Sequence, residues 1–203
     1  MSKYIVGVIV VIVVAAAAVF VWKTLPGTAS PSTPTPSSPT AVATSTYATS
    51  TFSVVYPADY TVDDQYTYTQ VNPKKPISGV KFTIPLTIAT GTDLSSDSYV
   101  SVEWLPRAKN CTGDIYLADN VKPQTLTEGG VEYSVATSSG AGAGNRYEEQ
   151  VYALAGSSPC TALRYFIHYA AIENFPAGAV QEFDRAALIS DFDKIRQSLV
   201  LTR

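Results

Sequence analysis

Acidic residues are absent from the first 58 positions, where Lys3 and Lys23 are the only charged side chains. All 17 acids lie at or after Asp59, so the remainder holds 12 basic and 17 acidic groups and a net charge of −5 within a chain total of −3. Without a basic cluster to neutralise phosphates, ordinary nucleic-acid binding is excluded. Histidine occurs once, as His168, and cysteine twice, as Cys111 and Cys160. This scarcity removes the common metal clusters, and no cofactor or metal is expected. A Gly-x-Ser-x-Gly nucleophile elbow is also missing, so His168 reads as a residue on a strand face, not a catalytic base.

An uncharged run is present from Tyr4 to Trp22, reading YIVGVIVVIVVAAAAVFVW. As a helix it would span roughly 28 Å, close to the hydrocarbon thickness of a bilayer. It is apolar all round, with Lys3 and Lys23 at its ends and Tyr4 and Trp22 where an interfacial aromatic belt would sit. The run is longer than a signal-peptide core and returns to Val19, Phe20, Val21 and Trp22 after its alanines, which favours a retained anchor over a cleaved leader. The expected arrangement is a cytoplasmic end at residues 1–3, a single-pass anchor at 4–22 embedded in the cytoplasmic membrane, and the C-terminal part outside.

Residues 23–51 read as a disordered Ser/Thr/Pro-rich linker. From Thr24 to Thr51, 24 of 28 residues are Ser, Thr, Pro or Ala, with no charge. Such a stretch buries too little apolar surface to offset its ordering entropy, and its prolines favour extended geometry. It would serve as a spacer through an envelope layer.

Residues 52–203 have the length of one domain with a real core. Strand-like runs rich in Tyr, Val, Ile, Thr and Phe recur at Phe52–Tyr56, Tyr66–Val71, Val80–Ile88, Tyr99–Leu105, Val131–Thr137, Tyr147–Leu154 and Leu163–Ala171. Polar turns at Ser138–Asn145 and Ala155–Pro159 make the last three an antiparallel meander. A shorter turn is expected around Gly113–Ala118. From Asp184 to Leu199, Leu188, Phe192, Ile195 and Leu199 fall on one helical face, with Asp184 as cap. Asp191, Lys194, Arg196 and Gln197 are assigned to the opposite, solvated face.

Cys111 and Cys160 are expected to form one disulfide in an exported chain. Gly140, Gly142 and Gly144 precede a strand-like run and not a helix, so they read as hairpin residues, not a phosphate loop. Glu148 and Glu149 are adjacent and point to opposite faces of a strand. Asn110, Cys111 and Thr112 form a glycosylation triplet whose middle residue the bridge needs. Eleven of 13 tyrosines lie in the domain, and Tyr66 and Tyr68, sharing a strand face, are the candidate ligand-binding pair.

An opening strand ending in Tyr56-Pro57, a series of antiparallel strands and a closing DFDKIRQSLVL helix resemble the PsbP-like fold. The expected fold class is α+β, and the resemblance implies an α/β sandwich, a central antiparallel sheet with the C-terminal amphipathic helix packed on it, and mostly binding or accessory roles. No catalytic residue is carried over, because no functional motif matches by position. The expected function is a membrane-anchored extracytoplasmic binding or accessory domain, with the bilayer at residues 4–22 and a protein or cell-wall glycan as partner. An exported hydrolase using dispersed carboxylates and a structural envelope protein are the alternatives.

Overall fold

The computed structural model describes residues 42–202. The expected cytoplasmic end, the membrane anchor and the linker up to residue 41 lie outside the described residues. None of the described helices is long and apolar enough to cross a membrane.

Eleven strands and two α-helices follow one another. β1 (Thr44–Ala48), β2 (Phe52–Pro57) and β11 (Val200–Leu201) form a small antiparallel sheet in the order β1-β2-β11. The large sheet runs β3-β5-β6-β10-β9-β8-β7. Its members are β3 (Thr61–Asp63), β5 (Ile77–Thr83), β6 (Tyr99–Leu105), β7 (Gln124–Glu128), β8 (Val131–Gly142), β9 (Asn145–Leu154) and β10 (Cys160–Ala170), with β4 (Thr67–Tyr68) added beside β5. Every pairing between named strands is antiparallel, as the recurrent β-rich runs predict.

Ordered structure begins before Phe52. β1 lies inside the stretch that composition alone reads as linker, and it pairs along β2 from Thr44 opposite Pro57 to Ala48 opposite Ser53. Tyr47 anchors it, edge-on to Phe82 at 5.9 Å between ring centroids and 6.0 Å from Phe52. The run Val80–Ile88 is not one strand. β5 stops at Thr83, and after Pro85 the chain turns into the short helix α1 (Leu86–Ala89). Of Tyr66–Val71, only Thr67 and Tyr68 enter the ladder.

The β8–β9–β10 meander forms as expected, but its first hairpin is longer. The ladder continues through the Ser/Gly/Ala segment to Gly142 opposite Asn145, leaving Ala143 and Gly144 as a two-residue turn with φ of 50° and 81°. Backbone pairing needs no side chain, so a segment that reads as loop by composition extends the strand. The tip is pinned, since the Gly144 carbonyl accepts from the Ala171 backbone N–H at 2.8 Å and Asn174 Nδ2 at 2.7 Å.

α2 (Arg185–Gln197) starts at the predicted cap, where the Asp184 carboxylate accepts from the Ala187 backbone N–H at 2.9 Å. It buries Leu188, Phe192 and Ile195 in a core with Phe52, Val54, Val80, Phe82 and Leu163 between the large sheet, the small sheet and the helix. Arg196 corrects the helical-wheel expectation, for it is buried and not solvated. Its guanidinium lies over the rings of Tyr152 and Tyr133, at 4.4 and 5.1 Å from their centroids, and donates to the Tyr165 hydroxyl, Glu128 and Asp193. An apolar stem under an aromatic floor and a fork facing two carboxylates let a cation occupy the inner face.

The other face of the large sheet carries a second core of Tyr66, Tyr68, Ile77, Tyr99, Tyr116, Val151 and Ala162. It is covered partly by the 3-10 turn Gly113–Tyr116, close to the turn expected there. Gly113 fits because a Cβ there would stand 2.8 Å from the Ala136 nitrogen and the Ser134 oxygen. The Cys111–Cys160 disulfide ties this covering segment to the start of β10.

Candidate functional site

Two polar assemblies occupy the two faces of the large sheet, and they differ in whether anything can reach them. On the second-core face, Arg164 and Glu103 are both fully buried. Register sets Arg164 opposite Ser101, two residues from Glu103 on the same side of β6. Arg164 grips Glu103 with two bonds of 2.8 and 2.9 Å, also pairs with Glu149, and donates to the Tyr116 carbonyl at 2.7 Å. The Tyr68 ring lies 3.5 Å from the guanidinium carbon, and Ser101 donates to Glu103 at 2.7 Å. Burial pushes the Arg164 pKa down, but the charges of Glu103 and Glu149 outweigh it and hold it above its ordinary value.

Tyr66 and Tyr68 belong to this assembly. Both are buried, and their hydroxyls are engaged internally: Tyr66 with Tyr99 at 2.8 Å, Tyr68 with Glu149 at 2.8 and 2.9 Å. Burial first, then Glu103 for Tyr66, raises the Tyr66 phenol well above its ordinary range; for Tyr68, burial and Glu149 outweigh the opposing pull of Arg164. The pair therefore packs and positions the buried ion network and offers little surface to a ligand.

His168 stands farther along the same face, where its ring stacks on Tyr147 at 4.6 Å and its Nδ1 lies 2.8 Å from Asp97. Ser98 Oγ bonds the backbone of His168 and not its ring. No hydroxyl nucleophile is bonded to the imidazole among the described residues, and no cluster of three or more His, Cys, Asp or Glu there suits a metal.

The opposite face opens into an accessible cleft lined by polar and charged side chains. Where the β8–β9 hairpin extends beyond the first turns of α2, a cleft of about 830 Å³ forms over β8, β9 and β10. Thr137, Ser139, Arg146, Glu148, Gln150, Tyr169 and Arg185 line it, with Tyr165, Ile167 and Ile189 as apolar floor. Alternation along β9 places Arg146, Glu148 and Gln150 on this side and turns Glu149 to the other. Glu148 is held by an ion pair with Arg185 and by the Tyr169 hydroxyl, which donates to it at 3.1 Å. Burial and then Glu148 raise the Tyr169 phenol above its ordinary value, so it remains a donor. Arg146 is exposed and has no ion-pair partner among the described residues. An adjoining recess of about 320 Å³ shares Arg146, Tyr169 and Arg185 and reaches Asp93, Glu173 and Glu182.

The cleft offers hydroxyl, amide and guanidinium groups around a tyrosine-bearing floor, with one carboxylate against two guanidiniums. The adjoining recess sets Asp93, Glu173 and Glu182 beside the same two arginines, so the positive groups of the cleft are confined to its Arg146 and Arg185 side. The sequence shows Arg146, Glu148 and Gln150 as alternate residues of one strand. Arg185 is 37 positions from Glu148, and no local pattern couples them. No protein-family model matches this chain, and no curated protein matches it either.

Proposed function

We propose that this chain is a membrane-anchored, extracytoplasmic binding module, held by residues 4–22, that recognises an acidic, hydroxyl-rich glycan of the cell envelope in the cleft over β8, β9 and β10. The observation that carries this reading is the unpaired Arg146 beside Tyr169 and the Glu148–Arg185 pair, in a cleft of about 830 Å³. Sugars present hydroxyls to planar hydrogen-bonding side chains and C–H faces to aromatic rings, while a free guanidinium selects a carboxylate or phosphate on the polymer. Non-catalytic binding is favoured because Glu148 is the only carboxylate side chain that the strand alternation directs into this cleft, and Arg185 and Tyr169 already hold it. The disulfide supports export, since such bonds persist in oxidising compartments.

The test is calorimetric titration of the full chain in lipid nanodiscs with polygalacturonate, with neutral dextran as the control. Binding should be confined to the acidic polymer, and Arg146→Ala and Tyr169→Ala should each weaken it about tenfold or more, the scale of one charge-assisted hydrogen bond. No binding, or equal binding of dextran with no effect of Arg146→Ala, would overturn the reading.

A further inference from the structure

A second cavity, remote from the glycan cleft in its lining, lies where the C-terminal half of α2 meets β2 and the turn that follows it. It measures about 250 Å³ and is bounded by Val55, Tyr56, Tyr60, Ile88 and Ile195, with Asp59, Asp191 and Lys194 as the charged residues on its wall. Most of that wall is apolar, and Val55 is exposed at its edge. The scale is that of about eight water molecules, below the range of drug-sized pockets.

Tyr60 gives this cavity a specific chemistry. The residue is 95% buried, at 5% relative exposure, yet its hydroxyl has no hydrogen-bond partner. Buried phenols ordinarily find one, because an unpaired hydroxyl costs about 1–3 kcal/mol. Burial, then Asp191, then Asp59, push the Tyr60 phenol far above its ordinary range, so both carboxylates act on the hydroxyl without bonding it. Asp191 is bonded by Lys194 at 2.6 Å, an exposed pair that a competing cation can exchange at little cost. Asp59 has no ion-pair partner among the described residues and is exposed.

We propose that this cavity binds a small organic molecule carrying a primary ammonium on an apolar body. The body fills the space between Val55, Tyr56, Ile88 and Ile195, and the ammonium donates its three N–H groups to the Tyr60 hydroxyl oxygen and the carboxylates of Asp59 and Asp191. The argument for a cation is charge complementarity: two carboxylates against one lysine, with a neutral phenol whose buried oxygen has no hydrogen-bond partner within the protein. The two tyrosine rings add a π surface that favours the same charge.

The experiment uses the full chain in nanodiscs with methyl-labelled Val and Ile, titrated with benzylammonium chloride and, separately, benzyl alcohol and benzoate. Saturable shifts should appear at the Val55, Ile88 and Ile195 methyls with benzylammonium. Benzyl alcohol should bind about tenfold more weakly and benzoate not measurably. Tyr60→Phe and Asp59→Asn should each weaken benzylammonium binding by about five- to tenfold, while the unshifted methyl spectrum elsewhere reports that the fold is kept. Equal shifts with the alcohol, absence of saturation, or unchanged affinity in both variants would overturn the proposal. Because Arg146 and Tyr169 take no part, these outcomes are independent of polygalacturonate binding.

Discussion

At the scale of single residues, the decisive feature is a cation placed where solvent cannot compensate it. Arg164 carries its charge at zero exposure because Glu103, Glu149 and the Tyr116 carbonyl together take up its donors. Nothing in a strand reading TALRYFIHYA announces this, since alternation shows only that Arg164 shares a side with Ala162 and Phe166. Gly79 belongs to the same arrangement. A Cβ there would stand 2.7 Å from the Val102 carbonyl and 3.0 Å from the Glu103 side chain, so glycine lets Glu103 and Tyr66 close over the strand. Arg164→Ala should lower the unfolding free energy by about 3–5 kcal/mol, because it leaves the Glu103 carboxylate buried and unpaired. The triple variant Arg164→Met with Glu103→Leu and Glu149→Gln should recover most of that loss, since it removes the guanidinium together with both carboxylates paired to it. Urea denaturation of the three proteins checks it. A single variant within about 1 kcal/mol of the parent would mean that the network contributes no more than one solvent-exposed ion pair does.

At the scale of elements, what was legible in the sequence follows from how much of an element's stability is local. α2 was legible because four apolar residues repeat at helical spacing after an acidic cap, and both signals lie within one segment. The meander was legible because long runs of β-branched and aromatic residues are separated by Gly- and Ser-rich turns. β1 was not, because Thr-Ser-Thr-Tyr-Ala has the composition of the Ser/Thr/Pro/Ala-rich sequence before it and becomes a strand only against β2, with Tyr47 against Phe52 and Phe82. β3, β4, β7 and β11 are two to five residues long and take their pairing from neighbours distant in sequence. The helical face of Arg196 was misassigned for a related reason, since its partners Tyr133, Tyr152 and Tyr165 come from three other strands. The cleft escapes notice in the same way, being assembled from β8, β9, β10 and the start of α2. β1 carries its own prediction. A chain beginning at Phe52 should be less stable than one beginning at Val42 by about 2–4 kcal/mol, from the lost burial of Tyr47 and the exposure of the Phe52 and Phe82 rings it touches. Thermal melts of the two chains decide this, and equal melting temperatures would show that β1 merely decorates the edge of β2.

At the scale of the whole molecule, both cores depend on neutral phenols, and the shared sheet couples them. Tyr60, Tyr152 and Tyr165 belong to the core under α2, and Tyr66, Tyr68, Tyr99 and Tyr116 to the core on the other face. Burial is the first cause in each case, and it raises all seven above the ordinary tyrosine value of 10.0, Tyr152 up to about 12 and the others beyond. In the unfolded chain these phenols ionise near their ordinary value, so above it the unfolded state binds fewer protons than the folded one. Stability is then fully present below pH 10 and falls as pH rises beyond it, by about 1.4 kcal/mol per buried phenol per pH unit. Seven such groups exhaust a domain stability of about 5–15 kcal/mol within roughly one to two pH units. Alkaline titration should therefore show these phenols ionising together in a steep step between about pH 11 and 12, coincident with loss of the far-ultraviolet sheet signal. The net charge of the domain, −5 at pH 7 and more negative once its lysines lose their protons at about pH 10.4, acts in the same direction through self-repulsion, but salt screens it, whereas buried phenols are screened little. Raising ionic strength from about 0.01 to 1 M should accordingly leave the midpoint nearly unmoved. Phenolate absorbance rising smoothly through pH 10 ahead of any change in the sheet signal would show that the tyrosines are accessible, and that the domain is not held together by two phenol-rich cores on one sheet.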